Sequence, residues 1–113
     1  MSWKPITSDE LDAIIGSADF EMEPAVLEFW RLIRIRPAKW NLSPWGDIGG
    51  GFWVVGVIGN RCLWYNDIEN GFNISHYEEF GRILEYGCNQ IELDRCIRSF
   101  LANLIKNVGG GSS

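Results

Sequence analysis

Apolar residues recur along this chain with two periods, and each change of period marks an element. Leu11, Ile14, Ile15 and Ala18 are spaced i, i+3, i+4 and i+7, forming one stripe of a helix with Asp12 on the water side. Thr7-Ser8-Asp9-Glu10 has the form of a capping box, so the helix is expected after Thr7 and to about Ser17, where Gly16-Ser17 and the acidic stretch to Glu23 break it. A second helix is expected from Pro24, tolerated in a first turn, to Ile35, with Val26, Leu27, Trp30 and Ile33 inward. The run RLIRIR also alternates like a strand, so its last residues are read as either helical or extended before Pro37, which disfavours helix at its predecessor. Residues 37–51 hold Pro37, Trp40, Pro44, Trp45 and Gly49-Gly50-Gly51, and read as an irregular loop pinned by two indoles.

From Phe52 the period falls to two. Gly59-Asn60 and Asn70-Gly71, each between apolar runs, supply the positive φ that tight hairpins need, so 52–76 reads as a three-stranded meander. With Gly59-Asn60 as a two-residue loop, Val55 faces Trp64 and Val54 faces Tyr65. Alternation then puts Trp53, Val55, Val57, Cys62, Trp64 and Asn66 on one face, and Phe52, Val54, Ile58, Leu63, Tyr65 and Asp67 on the other. With Asn70-Gly71 as the second loop, Ile74 faces Asp67 and His76 faces Tyr65. Arg82 to Tyr86 is expected to add a fourth short strand. Asn89 reads as an N-cap with Glu92 at the capping-box position, opening a last helix to about Asn107 whose stripe is Leu93, Ile97, Phe100, Leu101, Leu104 and Ile105. The expected architecture is one α+β domain over residues 1–108. It is an antiparallel meander of three to four strands packed against N-terminal helices and a C-terminal amphipathic helix, followed by a Gly/Ser tail at 109–113.

Composition narrows the partners. The 113 residues are 46% apolar, with six Trp and six Phe, enough for one real core. A net charge of −5 disfavours a nucleic-acid backbone as partner, because phosphate neutralisation needs a basic surface, and suits a basic protein instead. The basic cluster Arg31, Arg34, Arg36 and Lys39 reads as a solvated helix face. Cys62, Cys88 and Cys96 are an odd set without C-x-x-C spacing, suggesting reduced thiols rather than disulfides or a zinc site. MSWKPITSDE has no apolar signal core, and no run approaches the roughly 20 residues of a membrane span, so a cytoplasmic protein with no membrane partner is expected. The glycines at 49–51 follow neither G-x-G-x-x-G nor G-x-x-x-x-G-K-[ST] and lead into strand formers, so no phosphate cradle, and no other cofactor, is expected.

Two patterns carry candidate chemistry. No Lys or Arg lies between Cys62 and Gly81, where Asp67, Glu69, Glu78 and Glu79 sit among aromatic residues. Trp64, Tyr65, Asp67, Glu69, Phe72, Tyr77 and Glu78 are therefore the expected partner-binding set, rings anchoring and carboxylates steering. The alternative is a small-molecule or enzymatic site using Tyr65, Asp67 and His76, which the hairpin register would gather. The stretch GGGFWVVGVIGNRCLWYNDIENGFNIS followed by CNQIEL resembles, over residues 49–97, the small bacterial immunity proteins of contact-dependent and polymorphic toxin systems. That resemblance implies a protein without catalytic residues that covers the active or target-binding surface of a cognate toxin. A generic adaptor subunit would carry the same surface features.

Overall fold

The computed structural model describes residues 4–111, with side chains described through residue 105. Two helices, α1 (Ser8–Glu21) and α2 (Pro24–Ile33), lead into strands β1 (Arg34–Trp40), β2 (Phe52–Ile58), β3 (Arg61–Asn66) and β4 (Gly71–His76). Helix α3 (Leu93–Gly111) follows. The strands form one antiparallel sheet in the order β1-β2-β3-β4, an α+β meander with the helices on one face.

Both expected N-terminal helices are present. The Thr7 hydroxyl accepts from the Glu10 amide and the Glu10 carboxylate accepts from the Thr7 amide, closing the capping box, and α1 runs one turn beyond Ser17. In α2, Val26, Trp30 and Ile33 are buried. Trp30 is tied to α1 through Asp19, which accepts from the indole N–H at 2.7 Å and from the Arg34 guanidinium at 2.9 Å.

The fourth strand is not the one expected. It is β1, whose residues before Pro37 take the extended one of their two readings and whose later residues read as the start of a loop, and it lies at the sheet edge beside β2. Pro37 is tolerated there because its register slips between Arg34 and Ala38 and an edge strand need not donate every backbone N–H. Arg82 to Tyr86 makes only an isolated bridge from Arg82 to Asn41. Beside β4, the Glu85 carboxylate takes the His76 N–H at 2.8 Å and its carbonyl takes the Ser75 hydroxyl at 2.8 Å, so individual contacts replace a ladder.

Register departs from simple alternation in two places. Beyond the Gly59-Asn60 turn, where Gly59 has φ +56°, Ile58 faces Arg61 as expected, but the register then shifts, so that Val54 faces Trp64 and Trp53 faces Tyr65. Val55 is the extra residue of a β-bulge, which turns Trp53 and Val55 toward the helices and Phe52 and Val54 away from them. At the other hairpin, the buried Asn66 side chain accepts from the amides of Ile68 and Glu69, opening the connection to the four residues 67–70. Asn70 takes positive φ (58°), but Gly71 is already in β4 opposite Asn66.

Each face of the sheet is covered. On the helix side, Leu11, Ile15, Trp30, Val55, Leu63, Phe72, Leu93 and Ile97 form the main core. On the other side, Trp40, Phe52, Val54, Cys62 and Trp64 are roofed by loop residues including Leu42 and Ile83. Buried polar side chains hold that roof. Asn66 donates to the Gly87 carbonyl at 2.7 Å, the Asn89 amide donates to Asn73 at 3.0 Å, and Trp64 donates to the Ser75 hydroxyl at 3.0 Å. Asn89 is thus committed to β4 and does not cap α3, whose first turn closes on the Glu92 carbonyl through the Cys96 amide. Helix α3 continues through the glycines at 109–111; Ser112 and Ser113 of the expected tail lie outside the described residues.

Candidate partner-binding groove

The partner-binding set is split three ways by this packing. Trp64 is 0% exposed in the second core, against Phe52 and Tyr86. Tyr77 and Glu78 lie past the far end of β4, where Tyr77 stacks on Phe80 and edges onto Trp40. Tyr65, Asp67, Glu69 and Phe72 lie together at the β3–β4 turn, but Tyr65 (7% exposed) and Phe72 (1%) are core rings and not surface anchors. The physical reason is alternation: strand neighbours point to opposite faces, and here both faces are covered. A continuous ring-and-carboxylate patch across the seven residues is therefore not formed.

Nor do Tyr65, Asp67 and His76 converge. Tyr65 pairs with Phe72, and His76 faces Arg61, four residues along β3, roughly 13 Å away at about 3.3 Å per residue. The His76 ring sits 2.8 Å from Glu85 at a half-exposed surface. Among the described residues, no group of three or more His, Cys, Asp or Glu is arranged to hold a metal ion, and no helix is long and apolar enough to cross a membrane. Burial pushes the thiols of Cys62 and Cys96 up to about 12, which leaves them unreactive packing groups.

A groove does form where Tyr65 and Phe72 approach the surface. It runs along α1 in two lobes of about 430 and 600 Å³ that share Ala13, Ile14, Tyr65 and Asn70. One lobe lies between α1 and the irregular segment leading to α3, with Ala18, Phe72 and Ile91 among its apolar lining and Glu21 and Glu92 among its polar residues. The other is walled by the N-terminal segment, whose Ile6 amide donates to Asp67 at 2.7 Å, with Glu10 and Asp67 as its acids and Lys4 as its cation. Glu69 stands beside the groove, accepting from the lining residue Gln90 at 3.3 Å.

The titrating groups sense one another. Burial, then the charges of Asp67 and Glu10, push the Tyr65 hydroxyl above its ordinary range. Burial also raises Asp67, with the Ile6 N–H opposing. Because folding raises this carboxyl's pKa, its ionisation costs stability, a cost that grows from the ordinary value of 3.8 up to the raised one and is constant above it. Asp67→Asn keeps an acceptor for Ile6 and removes the charge. Its stability relative to wild type is expected to climb as the pH rises through that window, checked by thermal melts from about pH 3 to about pH 7. A gap that stays flat with pH would show that Asp67 is not held in a poorly solvated site.

Glu10, Ile14, Ala18, Glu21 and the segment at residues 90–92 were not among the expected site residues. Part of that signal was present in α1, where Glu10, Ile14, Ala18 and Glu21 follow one side of the helix that shares Ile14 and Ala18, only partly buried, with the inward stripe. Fold and groove together define a small α+β domain carrying an acidic cleft with apolar and polar lining. The chain matches no protein-family model, no curated protein and no solved structure.

Proposed function

We propose that this domain is a cytoplasmic immunity protein that binds a cognate bacterial toxin and neutralises it by covering its active or target-binding surface. The observation that carries the reading is the groove along α1, lined by Ala13, Ile14, Ala18 and Ile91 together with the acids Glu10, Asp67, Glu21 and Glu92, and with Lys4 as the one lining cation among the described residues. Concave surfaces that combine apolar and polar lining are where partners anchor, and lining charge of one sign attracts the opposite sign and speeds encounter. The chain's net charge of −5 has the same sign as that lining. The resemblance of residues 49–97 to immunity proteins supplies the class of partner, a toxin with a basic surface.

Co-expression with the product of the adjacent toxin gene tests this reading. Protected growth and a co-purifying complex are expected. Continued poisoning of the cells, with no complex in the pull-down, would remove it.

A further inference from the structure

We infer that the α1 groove receives an amphipathic helix of the partner protein, carrying basic residues at both ends of a small apolar stripe. This rests on the groove being the partner site, and it commits the site to one form of occupant. Glu10 and Asp67 belong to one lobe, together with Lys4, and Glu21 and Glu92 to the other, so net negative charge lies on both sides of a middle lined by Ala13, Ile14, Tyr65 and Asn70. Along α1, Glu10 and Glu21 are eleven residues apart, roughly 16 Å at about 1.5 Å per residue.

An occupant helix matches that span with Lys or Arg at positions i and i+11, which fall on the same side because eleven residues are close to three full turns. Positions i+4 and i+7, on that side too, would be small or aliphatic to meet Ile14 and Ala18. Addition of a partner strand is disfavoured by the same wall of the groove. The edge of β4 that could template it is already engaged, since the Phe72 amide donates to the Ile91 carbonyl at 2.9 Å and Asn89 is bonded to Asn73. At this wall the described edge of β4 is covered, and the other edge of the sheet, β1, lies at its far side, so the groove is left to side-chain recognition of the kind a helix offers.

The probe is a synthetic, end-capped 14-residue alanine-leucine helix with arginines at its second and thirteenth positions, titrated into the isotope-labelled full chain and followed by amide NMR. A matched peptide with glutamates at those positions is the control. Saturable binding is expected, weakened by salt, with shifts concentrated in α1, residues 65–70 and residues 90–93. The double variant Glu10→Gln/Glu21→Lys, which keeps the buried stripe of α1 and a capping-box acceptor at residue 10, should bind at least tenfold more weakly. Equal binding of the two peptides, no saturation, or shifts centred on loops 41–51 and 77–87 would overturn the inference. The toxin assay separates the two proposals. If the double variant protects cells as well as wild type, the groove assignment falls while neutralisation stands. If the arginine peptide occupies the groove but wild type protects against no toxin, neutralisation falls while the groove stands.

Discussion

Trp64→Ala is expected to cost roughly 3–5 kcal/mol, a large share of the about 5–15 kcal/mol that holds a domain together. The indole is fully buried on the sheet face away from the helices, with its ring centroid 4.8 Å from that of Phe52 and 6.1 Å from that of Tyr86. Its N–H reaches Ser75, which itself donates to the Glu85 carbonyl, so the side chain both fills the second core and helps fix the segment that roofs it. Removing it leaves a cavity that β-strands, locked in register, cannot collapse to fill. Trp64→Phe should cost less, because a ring still occupies the site and Ser75 keeps its bond to Glu85. Urea denaturation followed by circular dichroism checks both. An alanine variant within about 1 kcal/mol of wild type would mean that the loops over this face do not form a sealed core. Trp64 lies on the opposite side of the sheet from the groove, so the folded fraction of either variant should bind the arginine peptide with wild-type affinity.

Locally encoded features were the ones legible in the sequence. The capping box at Thr7 and Glu10, the stripe of α2 and the Gly59-Asn60 turn each depend on residues within a few positions of one another. The bulge at Val55 was not legible, because period-two counting cannot see an inserted residue. It lies beside a close approach across the fold: at Gly56, next to the bulge, a side chain would crowd the Ile33 carbonyl and the Trp30 ring of α2. Likewise, Asn70-Gly71 has the chemistry of a two-residue turn, and the longer loop is set by the Asn66 side chain, buried from the other side by Gly87. The candidate site followed the same rule. Rings and carboxylates interleaved from Trp64 to Glu78 resemble an interface, yet the second face is roofed by Leu42, Ile83 and Tyr86, and the only element read there, Arg82 to Tyr86 as a strand, does not form a ladder. Asp67 and Glu69 could be placed together at the β3–β4 turn from sequence, whereas α1's contribution to the groove needed the tertiary contact between that helix and the turn.

Gly71→Ala is expected to destabilise the domain by roughly 3 kcal/mol, the upper end of the usual cost of overpacking, and to abolish peptide binding with it. A Cβ at this position would overlap the backbone of Asn89 and Gln90, and backbone cannot swing aside as the end of a long side chain can. The segment would have to move as a unit, giving up the Phe72–Ile91 bond and the pair between Asn73 and Asn89. Since Gln90, Ile91 and Glu92 form one wall of the groove, the same displacement changes the surface on which an occupant would sit. Gly16→Ala provides the contrast. It lies in α1 with nothing within 4 Å of an added Cβ, so the methyl should stabilise the helix by roughly 0.5–1 kcal/mol through reduced unfolded-state entropy. Hydrogen exchange at Phe72, whose amide donates to Ile91, locates the damage: it should accelerate in Gly71→Ala and not in Gly16→Ala. If Gly71→Ala keeps both wild-type stability and a protected Phe72 amide, the close approach of residues 89–91 to β4 is not what builds the groove wall.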